Sequence, residues 1–415
     1  MNKTLLNIKK AIATITLLLV FPILFSGCNS YLDKYVDPET GKLNANAAPI
    51  SLLKRSSIKT LINTDSNVFY LMNDITGSVY VTGSNEYGLL GQGTYGGDSD
   101  GSALRANLPE RIKLIDASET RAAAVSDTNK VYIWGDLSDW GITPEDTKET
   151  MYKVFSFDTI VTDISVGENH IALLTKDGSA YTLGTNLGQL GYDIFTNLGE
   201  FYPDFRKIET SAVFSIVDTN ATATYFLSGS GELYGSSANE YCELGYVGKL
   251  SNVNKLDTVK PIKAISTCKH SLFALASDGT VYACGENANG VLGLNSSLPF
   301  AASLTMIPFD AVVTQISASD TTPYVHFVTE DEKLYACGTN LGLNTQDKNQ
   351  SVIAPSLVNV EYDVSEFYGN GSARFFVDSN GRLYAYGQNQ YSQIPDVDRS
   401  DRFITDPIRI YLRIK

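Results

Sequence analysis

Histidine is nearly absent from this 415-residue chain, with three in all, and cysteine is scarce at five. So few thiols exclude a disulfide framework, which needs several closely spaced pairs. Three scattered histidines exclude a histidine-rich metal tract. Positive charge is short as well. Lys and Arg number 32 against 46 Asp and Glu, a net charge of −14, or about −17 once Lys3, Lys9 and Lys10 of the N-terminal segment are set aside. Nucleic acid and anionic lipid are bound through clusters of Lys and Arg that displace counterions, and no such cluster occurs. No run after residue 28 approaches the roughly 20 apolar residues of a membrane-spanning helix. No long segment shows the 3.6-residue period of an amphipathic helix. His-Glu-x-x-His, a nucleophile elbow, a phosphate-binding lysine loop and cysteine-rich metal spacings are all missing. The chain therefore offers no recognisable enzyme site and no cofactor is expected.

One long apolar run is present, from Ala11 to Phe25, behind the three lysines and closed by Ser26-Gly27-Cys28. That is the layout of a secretory signal over residues 1–27. Leu24-Phe25-Ser26-Gly27-Cys28 resembles a bacterial lipobox, which implies lipidation of Cys28 and attachment to the extracytoplasmic face of a membrane. Phe25 stands where lipoboxes prefer Leu, and an ordinary signal or an uncleaved anchor is the other reading. Residues 28–48 are polar and without period, as in a flexible tether. The chain as a whole is 43% apolar, enough for a full core, and residues 49–415 are expected to form the folded body.

Internal repetition organises that body. Tyr80, Tyr132, Tyr181, Tyr234, Tyr282, Tyr335 and Tyr384 follow one another at steps of about 48 to 53 residues. Three residues beyond each stands Gly83, Gly135, Gly184, Ser237, Gly285, Gly338 or Gly387. Two further on stands Asn85, Asn186, Asn239, Asn287, Asn340 or Asn389, with Asp136 out of step. Before the tyrosines lie turn signals, strongest at Asp177-Gly178, Asp278-Gly279 and Asn380-Gly381, which suit two-residue type I′ hairpins. The flanking runs are rich in β-branched and aromatic residues. About 50 residues accommodate four short strands, and one such sheet cannot bury both faces alone. The expectation is an all-β, seven-bladed β-propeller. Pro109, Pro144, Pro203, Pro261, Pro308 and Pro355 fall between units, as outer edge strands allow. Pro407-Ile408-Arg409-Ile410 repeats that pattern after the seventh unit and is expected to complete the first blade beside Ile58 to Ile62, pairing the two chain ends; Pro49 to Leu53 competes for that place.

These residues resemble the regulator of chromosome condensation repeat family, most closely over Gly178–Gly191, Gly279–Gly293 and Gly77–Gly91, and the resemblance covers about residues 55–410. Kelch and WD repeats fit worse, since their signatures do not recur. The family implies an interaction platform, a rigid disc whose loops form a composite surface. It does not carry over a partner, because fold alone does not fix function.

Individual residues add little chemistry. His170 sits at the family's repeat histidine, with His270 and His326 near the equivalent places, and equivalent sites in different blades lie too far apart to share one ion. Gly91-Gln92-Gly93-Thr94-Tyr95-Gly96 matches a dinucleotide fingerprint but lacks the following helix. Asp98-Ser99-Asp100-Gly101 lacks the Gly and Glu that a calcium loop places sixth and twelfth. Cys284 and Cys337 are repeat equivalents, which leaves Cys268–Cys284 as the one pairing to test. Tyr87, Trp140, Tyr241 and Tyr391 fall in matching loops and are candidate partner anchors. The function expected is a monomeric, membrane-anchored protein-binding scaffold or inhibitor-like module; the alternatives are a surface glycan binder and a hydrolase or lyase with a site spread over several blades.

Overall fold

A computed structural model describes residues 58–410, apart from 64–67, 74–75, 143–151, 193–196, 249–251, 320–321, 340–350, 370, 372, 396 and 398–400. The signal, Cys28 and the tether lie outside the described residues. Seven four-stranded antiparallel sheets follow one another along the chain, over residues 58–105, 112–156, 161–207, 214–255, 262–306, 313–357 and 364–409. We number them blades 1 to 7. Each inner strand touches the inner strands of the two adjacent blades, from blade 7 back to blade 1, so the ring is closed.

All seven repeat tyrosines stand in third strands. The residue three places on pairs with the first residue of the second strand, as in His170↔Gly184, Ser271↔Gly285, Tyr324↔Gly338 and Ala373↔Gly387. Glycine is required at most of these places, Ser237 of blade 4 being the exception. At Gly135, Gly184, Gly285 and Gly338 a Cβ would stand 2.3 to 2.4 Å from a backbone carbonyl oxygen, and φ is +97° to +127°. Second strands are buried along their whole length in blades 2 to 7. The cores are built between blades, as in the stack of Phe69 on Phe375 at 4.3 Å across blades 1 and 7.

The hairpins differ from the type I′ expectation. At Asp177-Gly178, Asp278-Gly279 and Asn380-Gly381 only the glycine has positive φ, and its N–H bonds the carbonyl three residues back. That is a type I turn closed by a glycine bulge. Asn129 and Glu332 hold the same left-handed position without glycine, at φ +68° and +60°. The turn also joins blades. The carbonyls of Gly77, Gly178, Gly231, Gly279 and Glu332 accept the first inner-strand amide of the next blade, from Ile112, Phe214, Ile262, Val313 and Val364, at 2.8 to 3.0 Å. Between blades 2 and 3 the Asn129 side chain accepts Val161 N instead, at 2.8 Å.

Inner strands are sheet edges, and their free amides are capped across the joints. Asp116 accepts Val166 N at 2.7 Å, Asp163 accepts Val217 N at 2.9 Å, and Gln315 accepts Phe367 N at 2.9 Å. Burial raises the Asp116 carboxyl to about 7 and the Asp163 carboxyl to about 6, against the pull of those amides.

Three expectations are corrected. The C-terminal strand Phe403–Arg409 pairs with Leu383–Gln388 and completes blade 7, while Ile58–Asn63 heads a first blade made wholly from the N-terminal side. Closure is therefore by packing, because each blade already has four strands of its own; Pro49 to Leu53 lies outside the described residues. Cys268 and Cys284 are both free. They belong to cores on opposite faces of blade 5, Cys268 toward blade 6 and Cys284 toward blade 4, so the sheet itself separates them. Of the inter-unit prolines, Pro203, Pro355 and Pro407 do lie in outer strands, Pro109, Pro261 and Pro308 lie in the links between blades, and Pro144 is outside the described residues.

The left-handed turn predicts an asymmetric response to alanine. At Gly279 a Cβ would stand 2.5 Å from Val312 Cγ1 of blade 6, whereas at Gly381 nothing lies within 4 Å. Gly381→Ala should cost only the left-handed strain, about 1 kcal/mol, and Gly279→Ala about 2–4 kcal/mol once overpacking is added. Equal denaturant midpoints for the two variants would refute this account of the joint.

Candidate functional site

Strand alternation sends the loops between first and second strands, and between third and fourth strands, to one face of the ring. The hairpins and the links between blades go to the other. The first of these, the loop face, carries the long segments of the repeat. Their architecture rests on the asparagine. Asn85 donates from Nδ2 to the carbonyls of Thr94 and Gly96 at 3.0 and 2.9 Å and accepts Leu90 N at 3.0 Å. Asn239 does the same to Tyr246, Gly248 and Leu244, and Asn287 to Ser296, Leu298 and Leu292. Asn389 accepts Ile394 N at 3.0 Å; Asn340 lies outside the described residues. One side chain thus fixes both limbs of a loop and leaves the residues just after it on the surface.

Tyr87, Tyr241 and Tyr391 occupy that position, two residues beyond the asparagine. Trp140 does not. It ends the 3-10 turn Ser138–Trp140, donates Nε1–H to the Pro203 carbonyl at 3.0 Å and meets Phe201 edge-on at 5.0 Å, both in the outer strand of blade 3. The Arg121 guanidinium lies over it at 5.3 Å and pairs with Asp139 at 2.9 Å. Trp140 is a joint between blades. Tyr87 packs at the margin of the core between blades 1 and 2, and Glu86, then burial, Glu119 and Asp136 push its hydroxyl above the ordinary pKa. Tyr391 is half-buried, with its amide on Gln393 Oε1 at 3.0 Å.

Tyr241 is the most exposed of the four, at 37%, and lies flat on His270 of blade 5 with ring centroids 4.0 Å apart and an interplanar angle of 7°. Beneath the pair is a network that sequence reading missed. Glu243, wholly buried, accepts Ser237 Oγ at 2.5 Å, Tyr241 N at 2.9 Å and Thr222 Oγ1 at 3.3 Å. The Thr222 hydroxyl donates its hydrogen bond to the carboxylate, so its oxygen accepts from His270 Nδ1 at 3.0 Å. Burial, with Lys269 adding to it, holds His270 at about 4, so the ring is neutral at pH 7 with its proton on Nδ1. The Nε2 lone pair remains as an acceptor beside an exposed aromatic ring. The signal was in the departures from the repeat: Glu243 stands where Gln189 and Gln393 stand in blades 3 and 7, and Ser237 stands where the other blades have glycine. Gln189 donates Nε2–H to the Thr185 carbonyl at 2.9 Å. A carboxylate cannot, and the added serine hydroxyl supplies the donor that it needs.

The other histidines are structural joints. His170 is buried between blades 3 and 4 with Nε2 2.8 Å from Thr224 Oγ1, and burial depresses it to about 3. His326 stacks on Phe367 at 4.0 Å between blades 6 and 7, where burial and then Arg374 hold it well below its usual value. Three different joints keep the imidazoles apart. Asp98 and Asp100 accept the amides of Asn85 and Ser102, so the acidic segment braces its own loop.

No protein-family model matches the chain. Among curated proteins it is 28% identical to the human regulator of chromosome condensation over 303 residues, 66% of this chain and 71% of that one. It is 26% identical to the ultraviolet-B receptor UVR8 of Arabidopsis thaliana over 355 residues, 82% and 78% of the two chains. The solved structure of human WBSCR16 superposes with a TM-score of 0.68 at 18% identity, over 80% of this chain and 93% of that one. Prp20p of Saccharomyces cerevisiae superposes at 0.66 and 15%, over 88% and 90%. The chain is similar to the regulator of chromosome condensation repeat proteins in sequence and in fold. Within this wheel, blade 4 departs from its sister blades at its loop junction with blade 5, where Ser237, Cys242 and Glu243 stand at places that hold glycine or glutamine in other blades and Tyr241 stacks on His270.

The paired departures predict coupling. Glu243→Gln should cost about 1.5–3 kcal/mol through the lost charge-assisted bonds, and much less in a Ser237→Gly background. A double-mutant cycle by denaturant unfolding reads the difference, and additivity within about 0.5 kcal/mol would dismiss the coupling.

Proposed function

We propose that this protein is a protein-interaction scaffold that presents its loop face to a partner and is held by Cys28 on the extracytoplasmic face of a bacterial membrane. Support for the scaffold role comes from the family, whose relatives carry the names of a regulator and a receptor. The structure of Prp20p was described with its binding to Gsp1p and histones, partners that belong to that protein. The observation that carries the choice of surface is the Tyr241–His270 stack with its free Nε2 acceptor. Aromatic anchors flanked by fixed polar groups concentrate binding energy at interfaces. Tyr87 and Tyr391 extend the same face toward blades 1 and 7.

A glycan partner is the second reading, favoured by the same exposed ring, which suits stacking of a sugar with a hydroxyl donated to His270. Catalysis is a weaker alternative. Thr222 donates its hydroxyl hydrogen bond to Glu243, so His270 is not positioned as the base of that hydroxyl, and the nucleophile–base arrangement of a hydrolase is not formed here.

Tyr241→Ala, at a position already exposed, should leave the thermal midpoint nearly unchanged. It should weaken the complex with a partner identified by cross-linking and mass spectrometry by about 30-fold, the equivalent of about 2 kcal/mol. Unchanged affinity for Tyr241→Ala, Tyr87→Ala and Tyr391→Ala alike would move the binding surface elsewhere. A blank glycan array with the parent chain removes the glycan reading.

The anchor has its own test. Cys28→Ala should abolish metabolic labelling with palmitate and shift the chain from the membrane to the soluble fraction, because anchoring energy comes from buried methylenes at roughly 0.8 kcal/mol each. Retained labelling would refute lipidation at Cys28.

A further inference from the structure

Outer strands expose a row of unpaired backbone groups, and proteins protect such edges with short strands, proline or charge. Six of the seven blades do so. The outer strands of blades 1 and 4, Leu104–Arg105 and Asn254–Lys255, are two residues long. Lys153–Ser156 in blade 2 has four residues and a lysine. Phe201–Lys207 in blade 3 carries Pro203, Asp204, Arg206 and Lys207, and its Pro203 carbonyl is taken by Trp140. Ser351–Leu357 in blade 6 carries Pro355, and its Ile353 carbonyl is taken by Asn295 N at 2.8 Å. Phe403–Arg409 in blade 7 carries Asp406, Pro407 and Arg409.

Blade 5 is the exception. Its outer strand Phe300–Met306 is seven residues long without proline or charge. Phe300 and Met306 are 51% and 54% exposed, and Leu298, just before the strand, is 67% exposed. Phe300 and Met306 pair with Glu286 and Tyr282 of the third strand and project from the same side of the sheet. The sequence is self-complementary about Ser303. In an antiparallel pairing with a second Phe300–Met306, each Phe300 faces a Met306, and sulfur–aromatic contacts of that kind are favourable. No charge on either strand opposes the approach, and the strand's internal bonds among those described are short-range ones, the Thr305 hydroxyl on the Ser303 carbonyl at 2.8 Å and on the Ser303 hydroxyl at 3.3 Å. The bulge opposite Cys284, between the Gly285↔Ala301 and Ala283↔Thr305 pairs, falls at the two-fold centre, so the ladder would form as two short segments on either side of it.

We propose that this edge pairs with the same strand of a second copy of the chain, forming a two-fold dimer across blade 5. Isologous contacts close on themselves and need no other partner. The apolar surface offered by three side chains per copy is small beside the about 1,200–2,000 Å² of a standard interface. The dimer is therefore weak and concentration-dependent, and it leaves the loop face free, so it stands apart from the function proposed above.

The test uses the full chain in detergent. Sedimentation velocity over a concentration series should show monomer giving way to dimer, and Phe300→Lys with Met306→Lys should raise the dissociation constant at least tenfold without moving the thermal midpoint. A short bismaleimide should couple Ser303→Cys to itself and leave Ser351→Cys, on the proline-bearing edge of blade 6, at the background of the parent. A chain that stays monomeric throughout, a dimer indifferent to the two lysines, or equal coupling of the two cysteine variants would each overturn the proposal.

Discussion

A single backbone conformation, the left-handed residue that ends each hairpin, holds the wheel together. It turns the chain from second to third strand, and in five of the joints its carbonyl receives the first inner-strand amide of the following blade. A blade is otherwise a complete four-stranded sheet with no ladder to its neighbours. Repeating one hydrogen bond in one geometry fixes the angle between successive sheets, and a constant angle is what allows seven to close. Where Asn129 occupies the turn in blade 2, its side chain takes over and accepts Val161 N, so the joint survives the loss of glycine. The side-chain caps on the inner edges act in the same direction. They satisfy amides that face the central channel, at the cost of placing Asp116 and Asp163 where ionisation is disfavoured.

Sequence reading recovered the seven blades because the constraints that define them admit few residues. A third-strand position with a carbonyl within 2.4 Å of any Cβ accepts only glycine unless the local backbone changes, as at Ser237. An asparagine that must donate twice and accept once has no substitute of the same reach. Such positions recur visibly at the period of the fold. Outer strands have no comparable requirement. They need only tolerate solvent, which is why Pro407 to Ile410 was legible as an edge strand and illegible as to which sheet it joins. The turn type was hidden for another reason: Asp-Gly is compatible with both a type I′ turn and a type I turn with a glycine bulge. The choice is made by contact with the next blade. Cys268 and Cys284 show the limit of spacing arguments, since only strand parity reveals that a sheet lies between them.

The candidate site was legible in part. An aromatic residue two places beyond the loop asparagine could be found by alignment of the chain with itself, and three of the four aromatics do share that place. Trp140 shares the loop but not the position, and its indole is spent on blade 3. The buried network under Tyr241 escaped notice because a search for repetition discards departures. Ser237 and Glu243 read separately as lapses from glycine and glutamine. Together they form a donor and a carboxylate 2.5 Å apart, and that carboxylate orients Thr222, which in turn fixes the tautomer of His270. The distinctive chemistry of this wheel lies where two departures within one blade compensate each other and reach, through Thr222, a side chain of the next.

Closure without strand exchange has a mechanical consequence. At the seam the described residues show no turn carbonyl receiving an amide of blade 1; blades 7 and 1 are held by Phe69 on Phe375, by the shared core around Leu71, Ala103 and Ile394, and by the hydroxyls of Thr82 and Ser99 on the Ser392 carbonyl. Packing is less directional than a β-ladder. The Ser392 carbonyl is presented by a residue held at φ +58°, in the place where Gly88, Gly188 and Gly290 sit in other blades. The loop asparagine of blade 7 sets that residue, so the same device that shapes the loop face also latches the ring. Loop face and seam are then not independent surfaces. A partner that grips the loop containing Tyr391 acts directly on the residue that holds the last blade to the first.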